Sequence, residues 1–309
     1  MNGIRTSWTW RIGKNLRALL LGLGLIAIAL GAALPTGTRA ADLGQATGSV
    51  AVFSPIVATD HGAAAIESSP SGQAMPVGDL PGWKQIFKED FNTSVPLGGF
   101  PGTAYKGKFT IYKDGWPDTA GKRGKPSRYY PSKVISVGKG VLTKHLHSEN
   151  GIFMGAAILP VIPGPTRGQR YGKYTVRFRS DALKGYKVAW LLWPDSGSNM
   201  QYGEIDFPES DLAGVIRGYV HHTNAASGGD QDAFKTTATY TSWHTASIEW
   251  SPGKVVLILD GKVIGTSTNR VPSTAMHWVL QTESCLPTCP ATSTAGNVQI
   301  DWVVAYARA

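Results

Sequence analysis

Hydrophobic and polar residues alternate over several short stretches between residues 82 and 309. The clearest alternating or short apolar stretches are residues 174–179, 246–250, 255–260 and 298–306. Successive side chains of a strand point to opposite faces, so a period of two indicates a strand with one buried face. Turn-forming residues, such as Ser251-Pro252-Gly253 and Asp260-Gly261, divide these stretches. No stretch shows a convincing 3.6-residue period, so we predict a nearly all-β domain of antiparallel neighbours joined by short turns.

Three carboxylates are concentrated in the segment Tyr-Gly-Glu-Ile-Asp-Phe-Pro-Glu, which begins at Tyr202. In an extended strand Tyr202, Glu204 and Asp206 share one face. Ile205 and Phe207 share the other face and are apolar enough to be buried. The alternative is an acidic strand that faces solvent, but paired carboxylates on a rigid strand are also what general acid/base catalysis requires. We therefore predict that this strand carries the chemistry.

Glu209 interrupts the simple alternation of this strand. Strict alternation would direct Glu209 to the apolar face, where an unpaired charge costs several kcal/mol. One extra residue, a β-bulge at Phe207-Pro208, returns Glu209 to the face of Glu204 and Asp206. Proline has no N–H for a ladder hydrogen bond and is suited to a bulge. We predict that the bulge exists and that all three acids share one face.

A tryptophan-rich stretch, residues 187–194, lies just upstream of the acidic strand, and the short turn between them predicts a hairpin. Aromatic rings beside acids are typical of sugar-binding grooves, although a core tryptophan is the alternative. On a regular strand at most one of Trp190 and Trp193 faces the acids. A further β-like run, residues 217–222, ends in two histidines, either of which could bind a ligand or serve a structural role. The candidate substrate-binding residues are Trp190, Trp193, Tyr202, His221 and Trp116.

The N-terminal part of the chain differs from the rest in composition. Within residues 1–40, four basic residues precede an apolar run at 18–34, and small residues precede Ala41, which predicts a signal peptide. An uncleaved membrane anchor is the alternative. Residues 41–81 are rich in Ala, Ser, Gly and Pro and predict a flexible linker, or alternatively an edge strand at 49–53. We expect residues 82–309 to form one domain.

Charge excludes one class of function once the leader is set aside. Residues 41–309 carry 25 Lys and Arg against 21 Asp and Glu, a net charge of +4. That value is ordinary, and no nucleic-acid-binding motif is present, so we expect no nucleic-acid partner. Lys122, Arg123 and Lys125 form a small basic turn, which we interpret as a solvated loop rather than a binding patch.

The two cysteines, Cys285 and Cys289, are separated by three residues. In an exported protein we expect them to pair as a local disulfide. A metal site is disfavoured because no histidine pair with ligand spacing accompanies them. The sequence also shows no nucleophile elbow and no phosphate-binding glycine loop, which disfavours a Ser-His-Asp hydrolase or a nucleotide-binding enzyme.

The acidic segment resembles the signature of glycoside hydrolase family 16 in its bulged form, Glu-x-Asp-x-x-Glu, which is typical of laminarinase-like members. The matching residues are Glu204, Asp206 and Glu209. Five further segments also resemble family strands, at residues 87–92, 171–177, 243–250, 259–261 and 298–303. The resemblance implies an all-β, concanavalin-like β-jelly-roll sandwich of two curved antiparallel sheets, with the glycan lying across the concave sheet.

The resemblance also implies roles for the acids. Glu204 would be the nucleophile, Asp206 the middle acid that tunes it, and Glu209 the general acid/base of a retaining mechanism. Crowding of three carboxylates raises the pKa of at least one of them, and we expect Glu209 to keep its proton in this way.

We therefore expect a secreted, monomeric endo-glycosidase that hydrolyses a polysaccharide, most simply a β-1,3- or mixed β-1,3/1,4-glucan. The same residues would serve a transglycosylase, and a non-catalytic glycan-binding sandwich is the alternative from another class. Catalysis would require no cofactor, and no membrane contact is expected after signal cleavage. By the same resemblance, Glu89 and Asp301 are candidate ligands of a structural calcium.

Overall fold

The computed structural model describes residues 69–163, 168–195 and 197–309. The predicted signal peptide and residues 41–68 of the predicted linker lie outside the described residues. In the described part the strands, in chain order, are β1 (Trp83–Glu89), β2 (Phe109–Ile111), β3 (Ser127–Tyr129), β4 (Ile135–Gly138), β5 (Val141–Glu149), β6 (Ile152–Gly155), β7 (Ala157–Pro160), β8 (Gly172–Ser180), β9 (Tyr186–Pro194), β10 (Glu204–Asp211), β11 (Val215–His221), β12 (Gln231–Thr239), β13 (His244–Ser251), β14 (Lys254–Leu259), β15 (Lys262–Ser267), β16 (Met276–Ser284) and β17 (Gly296–Arg308). Helical structure there is limited to a 3₁₀ turn at Gly121–Arg123 and the single-turn helices α1 (Pro131–Val134) and α2 (Asn199–Tyr202). No helix in these ranges is long and apolar enough to cross a membrane.

The strands form two sheets that pack face to face. One sheet has the order β15-β14-β13-β8-β17-β5-β6-β3, with β1 also on β17 and β4 on β5. The other has the order β12-β11-β10-β9-β16-β7-β2. Among the described strands the pairing is antiparallel except for β3 with β6. Aromatic rings join the two sheets in the core, as between Phe178 of β8 and Trp190 of β9, whose centroids lie 5.0 Å apart. The predicted all-β sandwich is confirmed.

The strands predicted from alternation are also confirmed. The four stretches fall in β8, β13, β14 and β17. Asp260 alone lies outside its predicted strand, because it begins the turn between β14 and β15. Asp260 and Gly261 have φ values of 49° and 77°, which a type I′ hairpin turn requires. The predicted disulfide between Cys285 and Cys289 is present in the loop after β16.

Residues 69–81 are bonded to the ten-stranded sheet. The Ser69 hydroxyl donates to Asp301 Oδ2 at 2.5 Å, and the Trp302 indole N–H donates to the carbonyl oxygen of Gln73 at 2.9 Å. Asp301, the acceptor, and Trp302, the donor, are both residues of β17. The hydrogen-bonded domain therefore begins before Gly82, where the sequence suggested the boundary.

Candidate active site

A cleft of about 850 Å³ lies on the outer face of the seven-stranded sheet. Alternation along β9 and β16 builds its floor, since Ala189, Leu191 and Val279 point outward while their neighbours enter the core. Trp116 and Trp193 line its walls. An apolar floor with aromatic walls is the usual lining of a small-molecule or glycan site.

The predicted bulge is present in β10. Asp206 pairs with Leu191 and Glu209 pairs with Ala189, so three residue steps on β10 face two steps on β9. The peptide bond between Phe207 and Pro208 is cis. Because of the extra residue, Glu209 returns to the outer face.

All three acids therefore line the same cleft. Glu204, Asp206 and Glu209 are among its lining residues. Ile205 and Phe207 point the other way and are buried in the core between the sheets. The structure thus brings together the three carboxylates that the sequence selected.

A short helix positions Glu204 at the start of β10. Asn199, the first residue of α2, donates from Nδ2 to Glu204 Oε2 at 2.7 Å. Gly203 joins α2 to β10 with φ of 78°. A Cβ at this glycine would lie 2.7 Å from the carbonyl oxygen of His221. The turn therefore requires glycine both for its backbone angle and for its close approach to β11.

His221 extends the acidic row onto β11. It pairs with Glu204 in the strand register, and its Nε2 lies 3.2 Å from Asp206 Oδ2. His221 therefore lies beside the acids, and its suggested role in binding substrate stays a prediction. His222 points elsewhere, with Nδ1 2.8 Å from Asp230 Oδ1, so it is the structural histidine of the two.

Burial sets the protonation of the inner acids. Burial raises the pKa of Glu204 to about 9, and the charge of Asp206 adds to this effect, while His221 and Asn199 oppose it. Burial also raises the pKa of Asp206 well above its ordinary value, and the charge of Glu209 adds to this. The Glu204–Asp206 pair therefore retains a proton near neutral pH. Crowding therefore raises the pKa of both members of the inner pair, and the proton expected on Glu209 stays a prediction.

A lysine that the sequence analysis missed accompanies Glu209. Lys187 Nζ lies 2.5 Å from Glu209 Oε1, and both side chains are less than a fifth exposed. Burial lowers the pKa of Lys187, but the charges of Glu209 and Glu283 outweigh burial and raise it. Alternation along β9 places Lys187 on the same face as Trp193, but it does not indicate the contact with Glu209.

Glu283 is a second residue that the sequence analysis missed. It lies on β16 opposite Lys187 and lines the cleft. Its Oε1 accepts hydrogen bonds from the Thr119 hydroxyl at 2.6 Å and the Tyr129 hydroxyl at 3.2 Å. Because these donors hold it, Glu283 stabilises the cleft wall.

Two of the predicted substrate-binding residues do not lie where the sequence suggested. Trp190 is 0% exposed and packs in the core, so the prediction that it binds substrate is wrong. Trp190 alternates along β9 with the outward-facing residues, so its side chain lies on the buried face. Tyr202 ends α2 and is not part of the acidic strand, because the chain turns at Gly203. It is not among the cleft-lining residues of the described chain, whereas Trp193, His221 and Trp116 are.

Each candidate calcium ligand is already engaged by donors of the protein, and a structural calcium at Glu89 and Asp301 stays a prediction. Glu89 Oε1 accepts the backbone N–H groups of Asp90 and Phe91, and its Oε2 pairs with Lys108 Nζ at 2.5 Å. Asp301 Oδ2 accepts the hydrogen bond from the Ser69 hydroxyl. In the described ranges, one group of three ligand-type side chains comes close enough for a metal, with atoms within 4.8 Å of one another, and it is Glu204, Asp206 and His221 of the acidic row.

Comparisons with known proteins agree with this geometry. Residues 164–304 match the family model described as glycosyl hydrolases family 16. A beta-glucanase of Paenibacillus polymyxa is 28% identical over 111 residues, which are 35% of this chain and 46% of that protein. A beta-glucanase of Bacillus subtilis is 26% identical over 106 residues, 34% of this chain and 43% of that protein. The chain thus spans less than half the length of these curated relatives.

Solved structures share the fold. The laminarinase from Rhodothermus marinus superposes with a TM-score of 0.60 at 21% identity, over 74% of this chain and 98% of that one. SCLam, a non-specific endo-beta-1,3(4)-glucanase, superposes with a TM-score of 0.61 at 18% identity, over 76% of this chain and 95% of that one. Both matches confirm the jelly-roll fold of the described domain.

Proposed function

We propose that this chain belongs to glycosyl hydrolases family 16, whose model matches residues 164–304. We further propose that it is a secreted retaining endo-β-glucanase that cleaves a β-1,3- or mixed β-1,3/1,4-linked glucan. The observation that carries the proposal is the row of Glu204, Asp206 and Glu209 in one cleft, made possible by the bulge in β10. The two relatives are beta-glucanases, and the two solved structures are a laminarinase and an endo-beta-1,3(4)-glucanase, which supports a glucan as substrate.

The proton held by the inner pair decides how the nucleophile is activated. When the shared proton resides on Asp206, Glu204 is ionised and can attack the anomeric carbon. The bond from that carbon to the glycosidic oxygen breaks as Glu209 donates its proton to the leaving oxygen. Water, deprotonated by Glu209, then attacks the same carbon, releases Glu204 and restores the proton on Glu209.

Lys187 assists the step in which Glu209 gives up its proton. At that moment Glu209 becomes a carboxylate, and the ammonium group 2.5 Å away stabilises the new negative charge. His221 acts on the other side of the row by favouring the ionised form of Glu204.

The walls of the cleft account for the binding of sugar rings. Trp193 and Trp116 line it, and Trp116 is 48% exposed. A pyranose ring stacks its C–H groups on such an indole face. The secretion part of the proposal is supported by the leader pattern of residues 1–40 and by the disulfide, a bond typical of oxidising compartments.

The test is hydrolysis by the full chain on a panel of laminarin, lichenan, agarose, carrageenan and galactan. We expect cleavage of laminarin or lichenan, and a fall of about 10³-fold or more in Glu204→Gln with unchanged circular dichroism, because the nucleophile is lost. Glu249→Gln is the matched control, since Glu249 pairs with Lys173 on the other sheet. Full activity in Glu204→Gln, or no cleavage of either glucan, would contradict the proposal.

Product analysis separates hydrolysis from transfer. With an added acceptor oligosaccharide, we expect free reducing ends to remain the main product. Dominant transfer products at low acceptor concentration would instead identify a transglycosylase.

A further inference from the structure

The basic turn at Lys122 and Arg123 forms part of the cleft. The sequence suggested a solvated loop, but both residues line the same cavity as the catalytic acids. Lys125, the third cation of the turn, is exposed and is not among the lining residues. Lys122 and Arg123 are also exposed, as a solvated loop requires, but unlike Lys125 they belong to the cleft.

Buried hydrogen bonds fix this turn to the body of the sheet. The Asp118 carboxylate, 1% exposed, accepts the backbone N–H of Gly121 at 2.8 Å and that of Ser284 at 3.1 Å. The Ser127 hydroxyl also donates to Asp118. A Cβ at Gly121 would lie 2.2 Å from the Ser127 carbonyl oxygen, so the turn is closely packed. Lys122 and Arg123 thus project from an anchored position.

The two cations that line the cleft, Lys122 and Arg123, have no direct ionic partner in the described part of the chain. The nearby acids of the cleft are already engaged, Glu209 by Lys187 and Glu283 by Thr119. Cations without an ionic partner in a groove concentrate the electrostatic potential and attract anions.

An aromatic surface lies in the same cleft. Trp116 presents its ring there, and Lys113 Nζ lies 5.9 Å from the ring centroid, which brings a further cation to Trp116. A sugar ring stacked on Trp116 would lie in the same cleft as Lys122 and Arg123. A neutral glucan offers these cations nothing to neutralise.

We propose, building on the function above, that the preferred substrate is a β-glucan bearing anionic substituents, carboxylate or sulfate, which Arg123 and Lys122 bind. The guanidinium group of Arg123 can donate two parallel hydrogen bonds to either anion, and Lys122 adds a compact charge. The basic turn is thus a specificity-determining element for the same cleft.

Binding to a catalytically disabled chain tests this inference independently of hydrolysis. Full-length Glu204→Gln is titrated by calorimetry with one 1,3-linked gluco-oligosaccharide in neutral, carboxymethylated and sulfated forms. We expect at least one anionic form to bind about 10-fold tighter or more than the neutral form at low salt, with the gap narrowing as salt rises. The form with the larger gap identifies the anion.

Variants then test whether the basic turn causes the difference in affinity between the anionic and neutral forms. Adding Lys122→Ala and Arg123→Ala together should remove most of the preference for the anionic form. Adding Lys125→Ala, the matched control in the same turn, should preserve it.

Equal affinity for the neutral and anionic forms would overturn the inference. A loss of preference in the Lys125→Ala control as large as in the double variant would also overturn it. Should the binding preference be present while the wild-type chain cleaves no glucan, the inference stands and the proposed hydrolysis fails.

Discussion

Lys187 and Glu209 form the contact on which the proposed proton donation depends. Their charged atoms are 2.5 Å apart, in a site where each side chain is mostly buried. A charge-assisted hydrogen bond in such a place is stronger than an exposed one, because solvent screens it less.

Replacing Lys187 by Met should slow the first chemical step and shift the pH profile. Without the ammonium group, the carboxylate formed on Glu209 is less stable, so Glu209 is a weaker acid that keeps its proton to higher pH. We expect kcat/KM on laminarin to fall about 10-fold or more and the alkaline limb to move upward.

Lys173→Met is the matched control for this variant. Lys173 pairs with Glu249 at 3.0 Å on the other sheet, far from the acids. An alkaline limb that stays in place in Lys187→Met, or moves equally in Lys173→Met, would argue against the assigned role.

At the residue level, the sequence could select the acids because alternation and the cost of burying Glu209 left one consistent arrangement. The same reasoning could not choose between Trp190 and Trp193, because the choice requires the pairing register of β9 with β10. Lys187 was missed because an isolated strand lysine usually faces solvent. Only the cross-strand neighbours reveal that it faces Glu209.

At the level of elements, the junction between α2 and β10 sets the position of Glu204, the proposed nucleophile. Gly203 adopts a left-handed backbone angle and approaches the His221 carbonyl oxygen. Any shift of this junction moves Glu204 relative to Asn199, its hydrogen-bond donor.

Gly203→Ala should therefore reduce both stability and activity. The added Cβ strains the backbone and displaces β11, at a cost of about 1–3 kcal/mol in the free energy of unfolding. The displaced nucleophile should lower kcat/KM by about 10²-fold. Urea unfolding and glucan hydrolysis are the measurements.

The control variant Gly253→Ala separates the loss of stability from the loss of activity. Gly253 also has a positive φ, of 68°, but no atom lies within 4 Å of its Cβ position. We expect this control to lose stability and to keep its activity. A Gly203→Ala variant that hydrolyses glucan at the wild-type rate would show that the junction does not position Glu204.

The elements of the acidic hairpin were predictable because hydrophobic period and turn residues are local signals. The basic turn was not, since its place in the cleft depends on Asp118 contacting Ser284, far along the chain. No local pattern reports such a contact.

At the scale of the whole molecule, a buried lysine links the two sheets. Lys144 of β5 is 0% exposed, and its Nζ donates to the carbonyl oxygens of Leu280 on β16 at 2.5 Å and of Ala156 at 3.2 Å. Burial lowers the pKa of Lys144 to about 7. The sandwich therefore contains an amine that is largely uncharged above neutral pH.

This burial predicts a pH dependence of stability. In the unfolded chain the pKa returns to about 10.4, so between pH 7 and 10 the unfolded state binds one more proton than the folded state. The contribution of Lys144 to the free energy of unfolding therefore rises by about 1.4 kcal/mol per pH unit. This gain disappears as the pH drops toward 7.

Lys144→Met should remove that rise. Urea unfolding from pH 7 to 10 gives the slope of the unfolding free energy against pH, which is compared between the variant and the wild type. Lys84→Met, an exposed lysine on β1, should keep the wild-type slope. The same slope in wild type and Lys144→Met would contradict the buried, uncharged amine.

The sandwich itself was predictable because its strands repeat one pattern and the resemblance covered segments across the domain. The start of the domain was not, since residues 69–81 have a linker-like composition and are held by hydrogen bonds to β17. Composition indicates which segments bury apolar side chains, but it does not indicate which polar segments are held by hydrogen bonds.

Trapping of the covalent intermediate tests the central assignment most directly. The full chain is incubated with 2-deoxy-2-fluoro-β-laminaribiosyl fluoride, digested, and mapped by mass spectrometry. The account predicts one added fluoroglycosyl group, on Glu204, because that carboxylate is the nucleophile and the fluorine slows its release. A label on Glu209, or no label on a chain that hydrolyses laminarin, would contradict it.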